Sequence, residues 1–221
     1  LKFNPVVSPA KILIKLAETP EHVIFETALD YLKAGKIIAY PTETFYGLGV
    51  AFNNDEALRR LWELKRRPPD KPFPLIAADV NQLDTLVSRI EPEALALIGK
   101  YWPGPLTILF NARPGLSSFI TGKEGRVAVR MPGPSAALGL ARYVQFPITA
   151  TSANISNEPP ASDVQTVIGY FGDSIDMIID GGKTTGAPAS TIVEVSDGQI
   201  TVIRQGAVDL TDFYMNTGQG L

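Results

Sequence analysis

Apolar runs of strand length recur along this chain at 36–39, 73–77, 106–110, 127–129, 147–150, 175–179, 191–195 and 200–203, and helical spacing fills several of the intervals between them. That alternation demands a sheet covered by helices. Val23, Phe25, Ala28, Leu29 and Leu32 make the apolar face of one helix, entered through an N-cap and first-turn proline at Thr19-Pro20-Glu21 and closed by Gly35. Asn54 caps a second helix, on which Leu58, Leu61, Trp62 and Lys65 share a side. Further helical segments cover 83–87, 94–101 and 135–143, and one begins near Ser162. Asp197-Gly198 reads as the turn of a hairpin. Crossovers and hairpins together predict an α+β (α/β-like) fold, with a twisted mixed sheet of about seven strands flanked by helices.

Composition narrows the function classes. A chain of 221 residues with 45% hydrophobic content buries a full core, and one domain is expected over 1–206, with a tail at 207–221 that lacks periodicity. No window approaches the roughly 18 apolar residues of a membrane span, and no signal-peptide pattern opens the sequence, so a cytoplasmic protein is expected. There is no cysteine, which excludes disulfides, thiolate nucleophiles and zinc-thiolate sites. The single histidine, His22, falls in a first helical turn away from any polar cluster and reads as a surface residue. Chemistry must therefore proceed without Ser-His or Cys-His activation. A net charge of −3 argues against a surface that coats nucleic acid throughout, though Lys65, Arg66, Arg67 and Lys71 form a local basic cluster.

Several segments place polar groups where a ligand would sit. Tyr40-Pro41-Thr42-Glu43-Thr44-Phe45-Tyr46-Gly47-Leu48-Gly49 sets hydroxyls and a carboxylate between a buried strand and what reads as a glycine-punctuated turn. Pro41 is expected to end regular pairing there. Arg126 and Arg130 flank Val127-Ala128-Val129, and their spacing puts both on one face of a strand, opposite the valines, so that face is wet or ligand-lined. Thr151-Ser152-Ala153-Asn154 follows a strand at its C-terminal end, where open sheets bind ligands. No Walker loop or dinucleotide fingerprint is present. Even so, Lys65, Arg67, Lys71, Arg130 and Arg204, with Thr44, Ser152, Asn154 and Ser190, supply the cations and hydroxyl or amide groups that phosphate binding needs. Such a set suits phosphoryl or nucleotidyl transfer, which works by positioning and charge stabilisation. Lys65 and Arg67 also have a plainer reading, as cations compensating a helix C-terminus.

Taken in order, Tyr40-Pro41-Thr42-Glu43-Thr44, Lys65-x-Arg67-Pro68, Trp102-Pro103-Gly104-Pro105-Leu106-Thr107, Val127-Ala128-Val129-Arg130-Met131-Pro132, Thr151-Ser152-Ala153-Asn154 and Ser190-Thr191-Ile192 resemble the YrdC/TsaC family of threonylcarbamoyl-AMP synthases. Each motif alone is common, whereas the ordered set is specific and covers nearly the whole chain. The resemblance implies a three-layer YrdC-like fold with a concave site. It also implies synthesis of L-threonylcarbamoyladenylate from L-threonine, bicarbonate and ATP with release of pyrophosphate, supplying N6-threonylcarbamoyladenosine in tRNA through a downstream threonylcarbamoyl transferase.

By the same resemblance, Lys65 and Arg67 are the catalytic cations, and ATP is bound by Lys65, Arg67, Lys71, Arg126 (through its backbone), Ser152, Asn154 and Arg204. Thr44, Arg130 and Ser190 form the threonine side. Magnesium is expected to be held mainly by ATP phosphates, with no protein metal ligands. Where relatives often carry a glycine after the S-x-N motif, this chain has Ser156-Asn157, and asparagine also tolerates a left-handed turn. The short sequence after Arg204 resembles the single-domain branch of the family. Two rival readings remain at this point: an RNA-binding module using the same basic concave surface, and a carbamoyl-adenylate-forming domain like that of hydrogenase-maturation proteins. The second usually comes with zinc-finger cysteines.

Overall fold

The computed structural model describes residues 12–211 and 213. Two mixed sheets organise it. The first has five strands in the order β1 (Ile12–Lys15), β9 (Met177–Asp180), β2 (Ile38–Pro41), β3 (Tyr46–Gly49) and β8 (Thr151–Ser152). The second has six, in the order β11 (Gln199–Arg204), β10 (Thr191–Ser196), β5 (Leu106–Asn111), β6 (Arg126–Arg130), β4 (Leu75–Ile76) and β7 (Ile148–Thr149). The mixed, helix-flanked character is as expected, but the strands divide between two sheets instead of forming one. Non-local pairings such as β1 with β9 and β3 with β8 make that division.

The sheets differ in how they are covered. In the five-stranded sheet Ile38 and Tyr40 join one apolar cluster while Ile37 and Ala39 join another, so both faces are buried and the sequence reads as continuously apolar. Helices α1 (Glu21–Lys33) and α5 (Ala136–Val144) pack on the first face through Ile24, Phe25, Leu32, Leu140 and Val144. In α1 the buried stripe runs through Ile24, and Val23 is exposed, a shift of one residue from the sequence expectation. His22 is exposed, as expected. The second cluster joins α2 (Asp55–Lys65), α3 (Pro92–Tyr101), the short α4 (Ser118–Thr121) and α6 (Val164–Phe171) to one face of the six-stranded sheet, through Val127 and Val129 of β6 and Val193 and Val195 of β10. Asn54 caps α2 by accepting from the Ala57 N–H at 3.0 Å, whereas α1 begins after Pro20 without a side-chain cap.

Residues 46–49, expected as a turn, are instead strand β3, antiparallel to β2, with Pro41 in register with Tyr46. The glycines there answer to a neighbour within the sheet. A Cβ on Gly49 would come within 2.8 Å of the Tyr40 ring, and one on Gly47 within 3.2 Å, so the ring occupies the space two side chains would need. At the β10–β11 hairpin, Asp197 and Gly198 both take positive φ, 53° and 76°, as a two-residue type I′ turn requires.

Packing continues beyond Arg204. Val208, Leu210 and Phe213 are buried, so the core extends past the boundary expected at residue 206, and the rest of the expected tail lies outside the described residues. The buried Thr191 hydroxyl secures this segment: it donates to the Val208 carbonyl at 2.7 Å and accepts from the N–H groups of Gly206 and Val208 at 3.0 Å each. Among the described residues no helix is long and apolar enough to cross a membrane. Thr191→Val keeps the shape and removes all three bonds, so it should cost about 2–3 kcal/mol of unfolding free energy in urea titrations. A loss below about 0.5 kcal/mol would show that the hydroxyl does not anchor the segment.

Candidate active site

The uncovered face of the six-stranded sheet forms the floor of a cavity of about 790 Å³. Strand alternation sends Leu106, Ile108, Val127 and Val129 into the core and leaves Thr107, Leu109, Arg126, Ala128, Arg130 and Ile192 facing the cavity. The arginine face expected from the sequence is therefore the floor. Thr42 and Thr44 from the β2–β3 turn, Ser152 of β8, Ser190 ahead of β10, and Arg67 and Lys71 after α2 complete the wall, with Arg204 of β11 at its side. Lys65 and Asn154 line a smaller adjoining cavity of about 130 Å³, which shares Arg67, Lys71 and Ser152 with the larger one. Each residue expected from the sequence to meet ATP or threonine thus lines one of the two adjoining cavities.

Lys65 does not sit on a solvated helix end. It is 2% exposed, and its ammonium donates to the carbonyl of Ser152, to the carbonyl of Asn154 at 2.7 Å and to Asn154 Oδ1 at 3.2 Å. Burial, and after it the Arg67 charge, push its pKa down to about 7, while three oxygen acceptors act in the opposite direction by favouring the charged form. Asn154 is engaged in turn, accepting from the Ser152 hydroxyl and donating to the Glu158 carbonyl at 2.6 Å. The Ser-x-Asn turn is therefore wrapped around a buried cation.

Arg66 ends α2 in the left-handed conformation, with φ 49° and ψ 46°. This reversal leaves Lys65 on the buried side and delivers Arg67 to the cavity. Arg67 is held by the Lys71 carbonyl, by the Pro72 carbonyl at 2.8 Å and by the Thr151 hydroxyl at 3.2 Å, with its guanidinium 4.8 Å from the centre of the Phe73 ring. Burial lowers its pKa to about 10, which leaves it charged at neutral pH.

The remaining arginines divide into two kinds. Arg126 pairs with Glu194 at 2.8 Å and Arg130 with Glu43 at 3.0 Å, whereas Arg204 donates to the neutral Ser190 carbonyl at 2.7 Å. Arg204 has its pKa lowered by burial and then by the Arg130 charge. Ser190 and Thr107 hydroxyls lie 2.9 Å apart, and those of Thr42 and Thr44 3.1 Å apart. Asp70, Thr107, Thr121, Lys123 and Glu124 also line the cavity and were not singled out. Strand alternation would have found Thr107, but Lys123 and Glu124 sit in an aperiodic turn whose only sequence signal is the flanking Gly122 and Gly125. Among the described residues no group of three or more histidine, cysteine, aspartate or glutamate side chains is placed to hold a metal ion.

Residues 30–206 match the Sua5_yciO_yrdC family profile, described as "Telomere recombination". Threonylcarbamoyl-AMP synthase of Pyrococcus abyssi is 36% identical over 208 residues, spanning 94% of this chain and 61% of the relative. The Bacillus subtilis protein of the same name is 35% identical over 182 residues, covering 82% of this chain and 53% of its own length. That of Idiomarina loihiensis is 36% identical over 178 residues, covering 80% of this chain and 95% of its own. The chain therefore spans only part of the first two relatives. Among solved structures, P. abyssi Sua5 complexed with L-threonine superposes with a TM-score of 0.85 at 35% identity, over 94% of this chain and 61% of that one. E. coli YciO, at 23% identity, shares the fold with a TM-score of 0.80, over 91% of this chain and 98% of that one. With the profile matched over every strand except β1 and over the whole cavity lining, this chain belongs to the Sua5/YciO/YrdC family.

Proposed function

We propose that the chain is a nucleotidyltransferase that makes L-threonylcarbamoyladenylate from L-threonine, bicarbonate and ATP, releasing pyrophosphate, in the cytoplasmic route to N6-threonylcarbamoyladenosine in tRNA. One observation carries the reading. A single cavity is lined both by the polar side chains of Thr44, Arg130 and Ser190 and by cations at Arg67 and Lys71 that have no carboxylate partner among the described residues. The names of the relatives and the threonine complex of the P. abyssi protein support it.

In this reading the threonine carboxylate meets the Arg130 guanidinium, a planar fork suited to it, and the threonine hydroxyl and amine face Thr44 and Ser190. The amine takes up carbon dioxide derived from bicarbonate, losing a proton, and becomes an N-carboxylate. An oxygen of that group attacks the α-phosphorus of ATP, and the bond to the β-phosphate oxygen breaks to release pyrophosphate. Arg67 and Lys71 neutralise charge on the phosphates, with Arg204 and the Arg126 backbone as further nucleotide contacts. Ser152 and Asn154 present the turn against which the nucleotide lies. Lys65, already committed to three protein oxygens, acts by holding that turn and by adding positive potential from behind it. Magnesium fits as an ion carried by ATP oxygens and water, with Asp70 and Glu124 the carboxylates that line the cavity. When bound it would offset phosphate charge. The adenylate would pass to a threonylcarbamoyl transferase.

An RNA-binding role is less well supported. Glu43 and Glu194 compensate two of the floor arginines, and Asp70 and Glu124 add negative charge around the cavity, a mixed pattern poorly suited to a phosphate backbone.

Pyrophosphate release measured with ATP, magnesium and single amino acids should require both L-threonine and bicarbonate. RNA binding with a steep salt dependence and no pyrophosphate would instead favour the rival reading. Arg67→Ala should lower the rate by roughly 10²–10³-fold, and a loss of less than about threefold would remove Arg67 from the mechanism. Lys65→Met should destabilise the fold by about 2–4 kcal/mol in urea, because three buried oxygens lose their donor. An unchanged urea midpoint and slope would show that the ammonium is not structural.

A further inference from the structure

Arg130 lines the cavity from the end of β6, and Glu43 lies behind it, outside the cavity lining. The closest atoms, Arg130 Nη1 and Glu43 Oε1, are 3.0 Å apart, with the two side chains 10% and 21% exposed. Glu43 Oε1 also accepts from the Gly133 N–H at 3.4 Å, and Gly133 follows β6 by three residues, so the carboxylate bridges the β2–β3 turn to the chain just past Arg130. Its other oxygen is buried with no hydrogen-bond partner. A half-satisfied buried carboxylate is costly, and in fold terms an apolar residue would serve better. Arg204, whose pKa is lowered first by burial and then by the Arg130 charge, lines the same cavity. Glu43 is thus the carboxylate that holds the Arg130 guanidinium from the β2–β3 turn.

We propose that Glu43 is a positioning residue for Arg130, holding one side of the guanidinium so that its remaining N–H groups face the cavity as a fixed fork for an amino-acid α-carboxylate. The inference rests on the reading of the cavity as an L-threonine site. Charge balance supports the assignment. With Glu43 in place the pair is neutral overall, so it attracts a single carboxylate through directed N–H groups and competes weakly for polyphosphate. Arg67 and Lys71, on the wall after α2, have no carboxylate partner among the described residues and so carry uncompensated positive charge. The pair thereby sorts two anionic substrates within one cavity. The Glu43 backbone is fixed as well, its carbonyl accepting from the Thr185 hydroxyl at 2.8 Å, so the carboxylate is presented from a pinned turn.

The test compares full-length wild type, Glu43→Gln and Glu43→Ala. Calorimetric binding of L-threonine and of L-threonine methyl ester, which lacks the carboxylate charge, is measured together with steady-state pyrophosphate release. In Glu43→Ala, the KM and Kd for L-threonine should rise about 10–100-fold, the scale of effect expected from a misplaced positioning group. Methyl ester binding, kcat and the KM for ATP should change less than about threefold, so the preference for the acid over the ester collapses. Glu43→Gln is nearly isosteric, keeps the Oε1 contact and should lose less than alanine. If alanine does not fold, the glutamine variant carries the test alone, through a lower acid-to-ester ratio than wild type. Equal losses for acid and ester, an unchanged threonine KM, or a parallel fall in kcat would overturn the positioning role. Wild type that binds ATP but no L-threonine would overturn the threonine reading and this inference with it.

Discussion

A buried lysine ammonium ties together the parts of this site that lie farthest apart in sequence. Lys65 ends a helix, and the oxygens it holds belong to the Ser152–Asn154 turn. A backbone bond from the Ser156 N–H to the Lys65 carbonyl, at 2.9 Å, joins the same two segments again. Because an ammonium in a nearly dry environment must be matched by acceptors, its position fixes that of the turn to within hydrogen-bond tolerance. The turn in turn fixes β8, which pairs with β3, and so sets the distance between the Ser152 side of the cavity and the threonines of the β2–β3 turn. A lysine of this kind stabilises by satisfying carbonyls that would otherwise be orphaned, and it does so only in one arrangement of two distant segments.

Much of this was legible in the sequence where the physical signal is local. Two arginines four apart around Val-Ala-Val can only share a strand face, and Arg126 and Arg130 do. Asn54 ahead of a helical period and Asp197-Gly198 between apolar runs carried their cap and turn chemistry as expected. The failures are non-local. Gly47 and Gly49 argue against a strand by propensity, and only the Tyr40 ring lying over them explains why β3 has no side chains there. Lys65 at a helix C-terminus looks like an exposed dipole-compensating cation, since nothing within a few residues reveals the oxygens that bury it. The second sheet was missed because β1, β8 and β9 find partners far along the chain, and a run of two to four residues does not name its partner. Val208, Leu210 and Phe213 read as an aperiodic tail because they pack as single buried residues in an irregular segment.

The electrostatics of the cavity follow from the same unequal covering of the sheets. A sheet face buried on both sides excludes charge, whereas the open face of the six-stranded sheet accepts alternate polar residues at little cost, so the floor is where arginines can accumulate. Accumulated like charge is itself destabilising, and Glu194 and Glu43 relieve it at the two ends of β6. The cations left without a carboxylate partner lie along the edge near α2 and at β11. The resulting field has a neutralised centre and positive margins, which favours a ligand whose charge is concentrated at particular groups over one that spreads it evenly.

The Lys-x-Arg pattern is then best understood as a conformational motif as much as a chemical one. In a continuing helix residues two apart diverge by about 200°, so a rigid helix would send Lys65 and Arg67 to opposite sides and carry Arg67 away from the cavity edge. Arg66 instead breaks the helix in the left-handed region, and the N–H groups of Arg66 and Arg67 close back onto the Glu63 and Trp62 carbonyls. The reversal keeps Lys65 in the helix while turning Arg67 toward Thr151 and the loop at Lys71 and Pro72. For a non-glycine residue that backbone conformation costs about 1–2 kcal/mol, a cost the closed helix end and the three hydrogen bonds of Arg67 offset. One reversed residue therefore lets a single helix terminus serve two environments, a buried ammonium that organises the protein and a guanidinium that lines the cavity.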